Sequence, residues 1–438
     1  MDKIVEVQGV DISQEGQGIA KTQDGYTVFV PFLLPGEKGQ VKIIKDEGSF
    51  GRGELLEWTD KTSDRVEPRC PVYHECGGCQ LQHLSYEAQL NWKEKKVRDS
   101  LIRIGGLQNP KVKPIIGMEE PWYYRNRGQF AIGEQEGKLT WGFFAPRSHS
   151  VIAIDKCPIH HRYVNEAMQT LVTQLEGLHS YFEARGSLRH ISMRCGINTE
   201  EVLATIVLSE PTNKKSKLNY QAVPRAVGIV ENINKSRNSK ILGEKERTIC
   251  GQNYLEEKLL NLRFRISSQS FFQNNTLQTE KLYQKALEYA EPQGKKILDL
   301  YSGIGSITLA MATKAKEAVG VEIVKAAVKD AELNAKLNGL SNVRFYALDA
   351  ANAFKQESTT PDVLVLDPPR KGVENRVLES ILDLAPKTIV YVSCNPDTLA
   401  RDIRILSSKY EFIEATPVDV FTQTTHVETV VLMSRVEK

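Results

Sequence analysis

Lys296-Ile297-Leu298-Asp299-Leu300-Tyr301-Ser302-Gly303-Ile304-Gly305 is the stretch that decides the fold. Its first five residues read as a buried parallel strand, a loop with two glycines follows, and helical sequence begins at Ser306. Gly303 and Gly305 permit a tight turn and let the backbone approach a ligand closely. A helical stretch, Thr276–Tyr289, leads into the strand. Further strands are expected at Val319–Glu322, Val343–Ala347, Val363–Leu366 and Thr388–Val392, with Val427–Met433 closing the sheet and helices between most of them. This alternation predicts an α/β, doubly wound sheet of the Rossmann-like kind, with ligands at the carboxyl ends of its strands.

Upstream the grammar differs. Residues 1–58 carry short strand-like runs punctuated by Gly16, Gly18, Gly25 and Pro35-Gly36, which predicts an OB-like β-barrel of about five strands. A polar linker, 59–69, follows, then an amphipathic helix from Ser85 to Ile104. Residues 122–258 alternate short β-like runs with polar loops, and Pro211–Lys217 and Asn232–Lys240 read as exposed. One helix is expected near Arg162–Leu178. At ~150 residues per domain, the 438 residues suggest three domains.

Hydrophobic residues make up 41% and charged residues 26%, the balance of a globular protein. No run approaches the ~18 apolar residues of a membrane span, and the N-terminus lacks a signal pattern. A cytoplasmic monomer with no membrane association is therefore expected. A net charge of +2 says little about partners. The basic residues do cluster, however, from Lys93 to Arg127, interleaved with Trp92, Trp122, Tyr123, Tyr124 and Phe130. That pattern fits a solvated helix face or, because rings stack on bases, a nucleic-acid surface.

The glycine loop could hold a dinucleotide. Two features favour S-adenosylmethionine: the G-x-G-x-x-G register is missing, and acids stand at successive strand ends, Glu322, Asp349 and Asp367. Downstream, Asp367-Pro368-Pro369-Arg370-Lys371-Gly372 precedes Ser393-Cys394-Asn395-Pro396. A cysteine at that strand end suits an attacking thiolate, with a helix N-terminus or a cation expected to lower its pKa. Methylating uracil C5 needs such a nucleophile at C6, a hydrogen-bond partner for the O4/N3 edge and a base for the C5 proton. Cys394, Asp367 and Glu428 are the respective candidates. Arg125, Arg127, Arg370 and Lys371 are candidates for phosphate contacts.

These residues resemble the RNA uracil-5-methyltransferase family, particularly its bacterial 23S ribosomal RNA branch. The likeness spans nearly the whole chain: the DPPRKG and SCNP motifs, the terminal His426-Val427-Glu428, Phe271-Phe272-Gln273-Asn274-Asn275 and four cysteines. Residues 1–58 are similar to a TRAM domain, an RNA-binding barrel characteristically lacking in the family's transfer-RNA members. The resemblance implies Cys394 as nucleophile, Glu428 as base, and cofactor contacts from Gln273, Tyr301, Glu322, Asp349 and Asp367, with Gly303 and Gly305 in the loop. Position 306 is Ser where some relatives carry Asn. It also implies a central domain of 59–88 and 122–258, and a methyltransferase domain of 89–121 and 259–438.

Cys70, Cys76, Cys79 and Cys157 match the family's ligands for a [4Fe–4S] cluster. Four thiolates also suit zinc, and Gly77-Gly78 would let two sulfurs converge. The expected partner is a loop or bulge uridine of 23S rRNA, where leaving the stack costs least. The alternatives are a transfer-RNA T-loop methyltransferase and a non-catalytic RNA-binding assembly factor.

Overall fold

Alternating buried and exposed side chains close the N-terminal strands into a barrel. In the computed structural model, which describes residues 3–176, 188–211, 218–236, 238, 240–353 and 360–436, the chain divides into two units. The first comprises 1–93 and 421–426, the second 94–420 and 427–438.

In the first unit β1 (Ile4–Ile12), β2 (Gln17–Lys21), β3 (Thr27–Pro31), β4 (Lys38–Asp46) and β5 (Phe50–Asp60) form a closed barrel in the order β1-β2-β3-β5-β4. Val7, Ala20, Val28, Val30, Leu33 and Val41 fill it, and closure leaves no exposed sheet edge to pair. Arg65, just beyond β5, pairs at 2.6 Å with the buried Glu37, which also accepts from Leu34 N. A buried charge needs such a partner. A second small core gathers Ile12, Leu34, Leu81, Leu84 and Trp92.

The division between units falls within α1 (Tyr86–Arg103), the helix expected from Ser85. Its Val97 and Leu101 join the large core of the second unit. Strands β6 (Arg127–Gln135), β7 (Lys138–Phe144), β8 (Val151–Ala153), β9 (Leu188–Cys195), β10 (Val202–Leu208), β11 (Ala226–Ile233) and β12 (Lys245–Gly251) make a sheet ordered β12-β11-β10-β9-β6-β7-β8. Helix α2 (Arg162–Glu176) buries Val164, Ala167, Met168, Leu171 and Leu175 in the core of that sheet. The expected end of that helix at 177–178, and residues 212–217, 237 and 239 of the two expected loops, lie outside the described residues.

A hairpin, β13 (Tyr254–Leu259) and β14 (Leu262–Ser267), leads to the cofactor-type sheet. There α3 (Thr276–Ala290), β15 (Lys296–Leu300), α4 (Ser306–Ala312), β16 (Glu317–Glu322), α5 (Lys325–Leu337), β17 (Val343–Ala347), α6 (Ala350–Ala353), β18 (Val363–Leu366), α7 (Asn375–Leu384), β19 (Thr388–Ser393) and α8 (Pro396–Leu406) alternate. Two strands, β20 (Tyr410–Val418) and β21 (Glu428–Arg435), complete it in the order β17-β16-β15-β18-β19-β21-β20. β15 to β19 are parallel, and β21 runs antiparallel to both neighbours.

One expectation is corrected here. The last strand does not close the sheet; it inserts between β19 and β20, and β20 is the sheet's terminal strand. β20 carries Pro417 and a run of half-buried residues, so it lacks a clean strand signal, as suits a strand near an edge. Lys111–Ile116 lies along it, with Lys113 N donating to Ala415 O at 2.8 Å and Ile116 N to Pro417 O at 3.0 Å.

Candidate active site

The carboxyl ends of five parallel strands place the expected cofactor residues side by side. After β15, Tyr301 adopts φ 69° and Gly303 and Gly305 adopt 55° and 83°. A left-handed backbone is uncommon for tyrosine, and such outliers concentrate at functional loops. A Cβ added to Gly303 would meet nothing within 4 Å, whereas one on Gly305 would strike Phe345 at 2.8 Å. Gly303 thus leaves open space above the loop, while Gly305 lets Phe345 pack beneath it.

At the end of β16, Glu322 accepts from Gly303 N at 3.1 Å and from Val324 N at 2.9 Å. Asp349, after β17, accepts from Ala351 N at 2.9 Å and pairs with Arg376 at 2.8 Å. Gln273 is buried, and its carbonyl accepts from Asn126 Nδ2 at 2.9 Å. Two side-chain atoms are orphaned here: Ser302 Oγ in the loop and Asp299 Oδ1 at the end of β15 are buried without a hydrogen-bond partner among the described residues.

Cys394, Asp367 and Glu428 are brought together by strand order. β18 and β19 are parallel neighbours, so Asp367 and Cys394, each following its strand, emerge side by side. β21 pairs antiparallel with β19 through Ser393 opposite Thr429, and this sets Glu428 beside Cys394. Their electrostatics record the proximity. Burial pushes the half-buried Cys394 thiol up to about 12, with Glu428 and Asp367 adding, while Arg370 and a backbone hydrogen bond oppose. Burial, with Asp367 beside it, raises Glu428 to about 8. Asp367 keeps part of its surface open, yet its packed surroundings raise it to about 7.

The pKa expectation for the cysteine is therefore corrected. Asn395 does cap α8, accepting from Asp397 N at 3.1 Å, but the helix terminus does not prevail over burial and two acids. Three clustered acids instead make the site complementary to a cationic ligand: Asp299 also rises, to about 8, through burial with Asp367 and Glu322 nearby.

Two buried residues extend this cluster without having been singled out in the sequence. Tyr283 on α3 is hydrogen-bonded to Ser306 Oγ at 2.8 Å, and Asp367, Asp299 and Glu428 all act on its hydroxyl. Asp299 Oδ2 accepts from Thr308 Oγ1 at 2.5 Å. Tyr283 stands on an amphipathic helix and reads as core. Asp299 inside an apolar strand was the available signal, because a carboxylate there must be protonated or matched by a cation.

The basic stretch is not one exposed face. Lys93 is buried and donates to Phe421 O at 3.0 Å, and Trp92, Tyr124 and Phe130 are core residues. Lys95 pairs with Asp99, Arg98 with Glu94, and both Lys111 and Lys113 reach Glu414. Arg125 and Arg127 are half-buried, whereas Arg370 and Lys371 are exposed on the loop after Asp367.

The four cysteines expected to bind metal form no disulfide and are half-buried. Cys70, Cys76 and Cys79 belong to the first unit and Cys157 to the second. Burial raises the Cys76 thiol, and Cys70 is close enough to add to it. Among the described residues, however, no group of three or more His, Cys, Asp or Glu side chains is arranged to hold a metal ion.

Residues 85–436 match the tRNA (uracil-5-)-methyltransferase family model, and residues 3–56 match the TRAM domain. The chain belongs to the RNA uracil-5-methyltransferase family. An uncharacterized RNA methyltransferase of Halalkalibacterium halodurans is 43% identical over 444 residues, 98% of this chain and 96% of the relative. One from Bacillus cereus is 43% identical over 450 residues, 100% of this chain and 98% of its own. Among solved structures, Pyrococcus abyssi tRNA (uracil-54, C5)-methyltransferase, in complex with S-adenosyl-L-homocysteine, is 26% identical with a TM-score of 0.75. That match covers 99% of this chain and 100% of the other, so it cannot omit the barrel. The barrel therefore does not separate this member from a transfer-RNA enzyme of the family. No helix among the described residues is long and apolar enough to cross a membrane.

Proposed function

We propose that the protein methylates C5 of a specific uridine in RNA, with 23S rRNA as the substrate, through a covalent bond between Cys394 and uracil C6. The observation that carries this reading is the electrostatic coupling of Cys394, Asp367 and Glu428 at three adjacent strand ends. S-adenosylmethionine, when bound, supplies an electrophilic methyl group on a sulfonium. The residues fit it: open space over Gly303, the orphaned Ser302 Oγ, and acids suited to a cation. Tyr301, Glu322, Asp349, Asp367 and Gln273 would hold it.

In this reading Cys394 gives its proton up to solvent water as the target ring arrives, and the sulfur adds to C6, which makes C5 electron-rich. Asp367, poised near neutrality, donates to or accepts from the O4/N3 edge. After methyl transfer Glu428 takes the C5 proton, and the sulfur leaves. The division of labour is a barrel of 1–58, a central domain of 59–88 and 122–258, and a catalytic domain of 89–121 and 259–438.

RNA containing 5-fluorouridine tests the chemistry, because fluorine cannot leave as a proton does. A protein–RNA adduct should survive denaturation with the native enzyme and be lost in Cys394→Ala. No adduct with the native enzyme would overturn the covalent route and leave a binding factor. Transfer RNA is the second reading, favoured by the whole-chain likeness to the Pyrococcus abyssi enzyme. Mapping 5-methyluridine in both RNAs from a strain lacking the protein decides between them.

For the cysteines, the proposal is that Cys70, Cys76, Cys79 and Cys157 are the ligands of a [4Fe–4S] cluster, which would need them deprotonated as thiolates. The cluster's role there is structural. Iron and sulfide in stoichiometric amounts after oxygen-free purification are expected; a colourless, zinc-loaded protein would refute it.

A further inference from the structure

We propose that Arg194, with Arg127, forms a site for an RNA backbone phosphate beside the reaction centre; the inference rests on the RNA reading above. β6 and β9 are antiparallel neighbours, and Arg127 stands opposite Arg194. Arg194 is only 4% exposed, yet it has no ion-pair partner among the described residues. Its one hydrogen bond there goes from Nη2 to Ser270 O, at 2.7 Å. Arg127 donates from Nη2 to Ser268 O at 3.5 Å. The Nε atoms of both are buried and donate to nothing among the described residues.

A buried and a half-buried guanidinium side by side repel one another, and burial adds to the cost: the Arg194 pKa falls through burial first and Arg127 second. Arg125 adds a third cation, its Nε donating to Arg127 O at 3.1 Å. Carboxylates that reach residues next to Arg194, Asp330 at Ser270 and Glu257 near Cys195, are engaged elsewhere. Asp330 accepts from Ser270 Oγ, and Glu257 accepts from Ile197 N, Asn198 N and Thr276 Oγ1. An unpaired buried charge is retained against such a cost where an anion arrives to match it.

The position suits a nucleotide entering the active site. The carbonyls that hold the two arginines belong to Ser268 and Ser270, and the same loop runs on through the exposed Phe271 to Gln273. Asn126, next to Arg127, donates to Gln273 O at 2.9 Å. A planar fork of donors matches phosphate oxygens in pairs, which a lysine there would not.

The test uses the full chain and single-stranded oligoadenylate, which carries a backbone but no uridine, so it is independent of methylation. Affinity is measured from low to moderate salt for the native protein, Arg194→Gln and Arg127→Gln. Each variant should bind several-fold more weakly, and its log–log salt slope should shrink by ~0.7, the value for one contact on a single strand. Affinity for S-adenosylmethionine should not change. Removing one of two repelling charges should leave the melting temperature of the RNA-free protein level or higher, where a purely structural arginine would lower it. Unchanged slopes in both variants would overturn the proposal. So would binding of inorganic phosphate that oligoadenylate fails to displace, which would mark a free-phosphate site. Should Arg194→Gln fail to fold, the half-buried Arg127→Gln carries the salt measurement alone. Loss of methylation with intact oligoadenylate binding would count against the function reading and not against this site.

Discussion

At the scale of single residues, the site is governed by protons held where they are not ordinarily held. Glu428 titrates near 8 instead of 4.5 because it is buried beside Asp367. Its base form therefore grows as pH rises through 7 to 8, and kcat/KM should climb over that range. Glu428→Gln should trap the methylated adduct instead of releasing product, visible as a shifted band with ordinary uridine RNA. The same shift has a stability consequence. A carboxyl whose pKa is raised by folding contributes stability below 4.5 that is lost as pH rises through about 8. Glu428→Gln should thus gain melting temperature relative to the native protein, and the gain should be larger at pH 9 than at pH 5. Equal differences at the two pH values would show that the carboxyl is not held protonated by the fold. Cys394 was legible as a candidate nucleophile from its motif. Its raised pKa was not, because the acids that raise it arrive from other strands.

At the scale of elements, α8 and the loop from Arg370 to Val373 act as one part. Asn395 caps the helix and also donates from Nδ2 to Arg370 O at 3.1 Å, while Thr398 Oγ1 donates to the same carbonyl at 3.2 Å. Below them, the buried Asp402 accepts from Val373 N at 2.8 Å and from Tyr391 OH at 2.7 Å. Gly372 has φ +76°, and a Cβ there would lie 2.7 Å from Asp402 Oδ2. Asn395→Ala should cost about 1 kcal/mol as a lost helix cap. It should also lower kcat, since Arg370 is the one cation acting to lower both Cys394 and Glu428. Denaturant unfolding and steady-state kinetics on the same sample check both effects. Tyr391→Phe strips a hydrogen bond from a buried carboxylate and should cost about 1–3 kcal/mol. The strands of this layer were readable because parallel strands are continuously apolar. β20 was missed because its half-buried residues and Pro417 blur the period.

For the whole molecule, the sequence by itself determined the α/β class and the barrel, and it named the candidate chemistry-bearing residues. Those properties live in local patterns: glycine loops after apolar strands, acids at strand ends, and a cysteine before an Asn-Pro helix start. It also determined that RNA is the partner class, so affinity for RNA should fall about tenfold or more between 50 and 200 mM salt if several phosphates are contacted. A filter-binding series measures that directly, and a flat response would argue against a backbone-contacting surface. Only the tertiary structure decided that β21 inserts beside β19, which sets Glu428 against Cys394 although they lie 34 positions apart in the chain. Only it showed that Arg127 and Arg194 stand opposite one another with no acid paired to them among the described residues, and that Tyr283 and Asp299 join the acidic cluster. The physical reason is the same in each case. Hydrophobic periodicity fixes which side of an element is buried, but the neighbours it meets there follow from sheet order, which no local window of sequence contains.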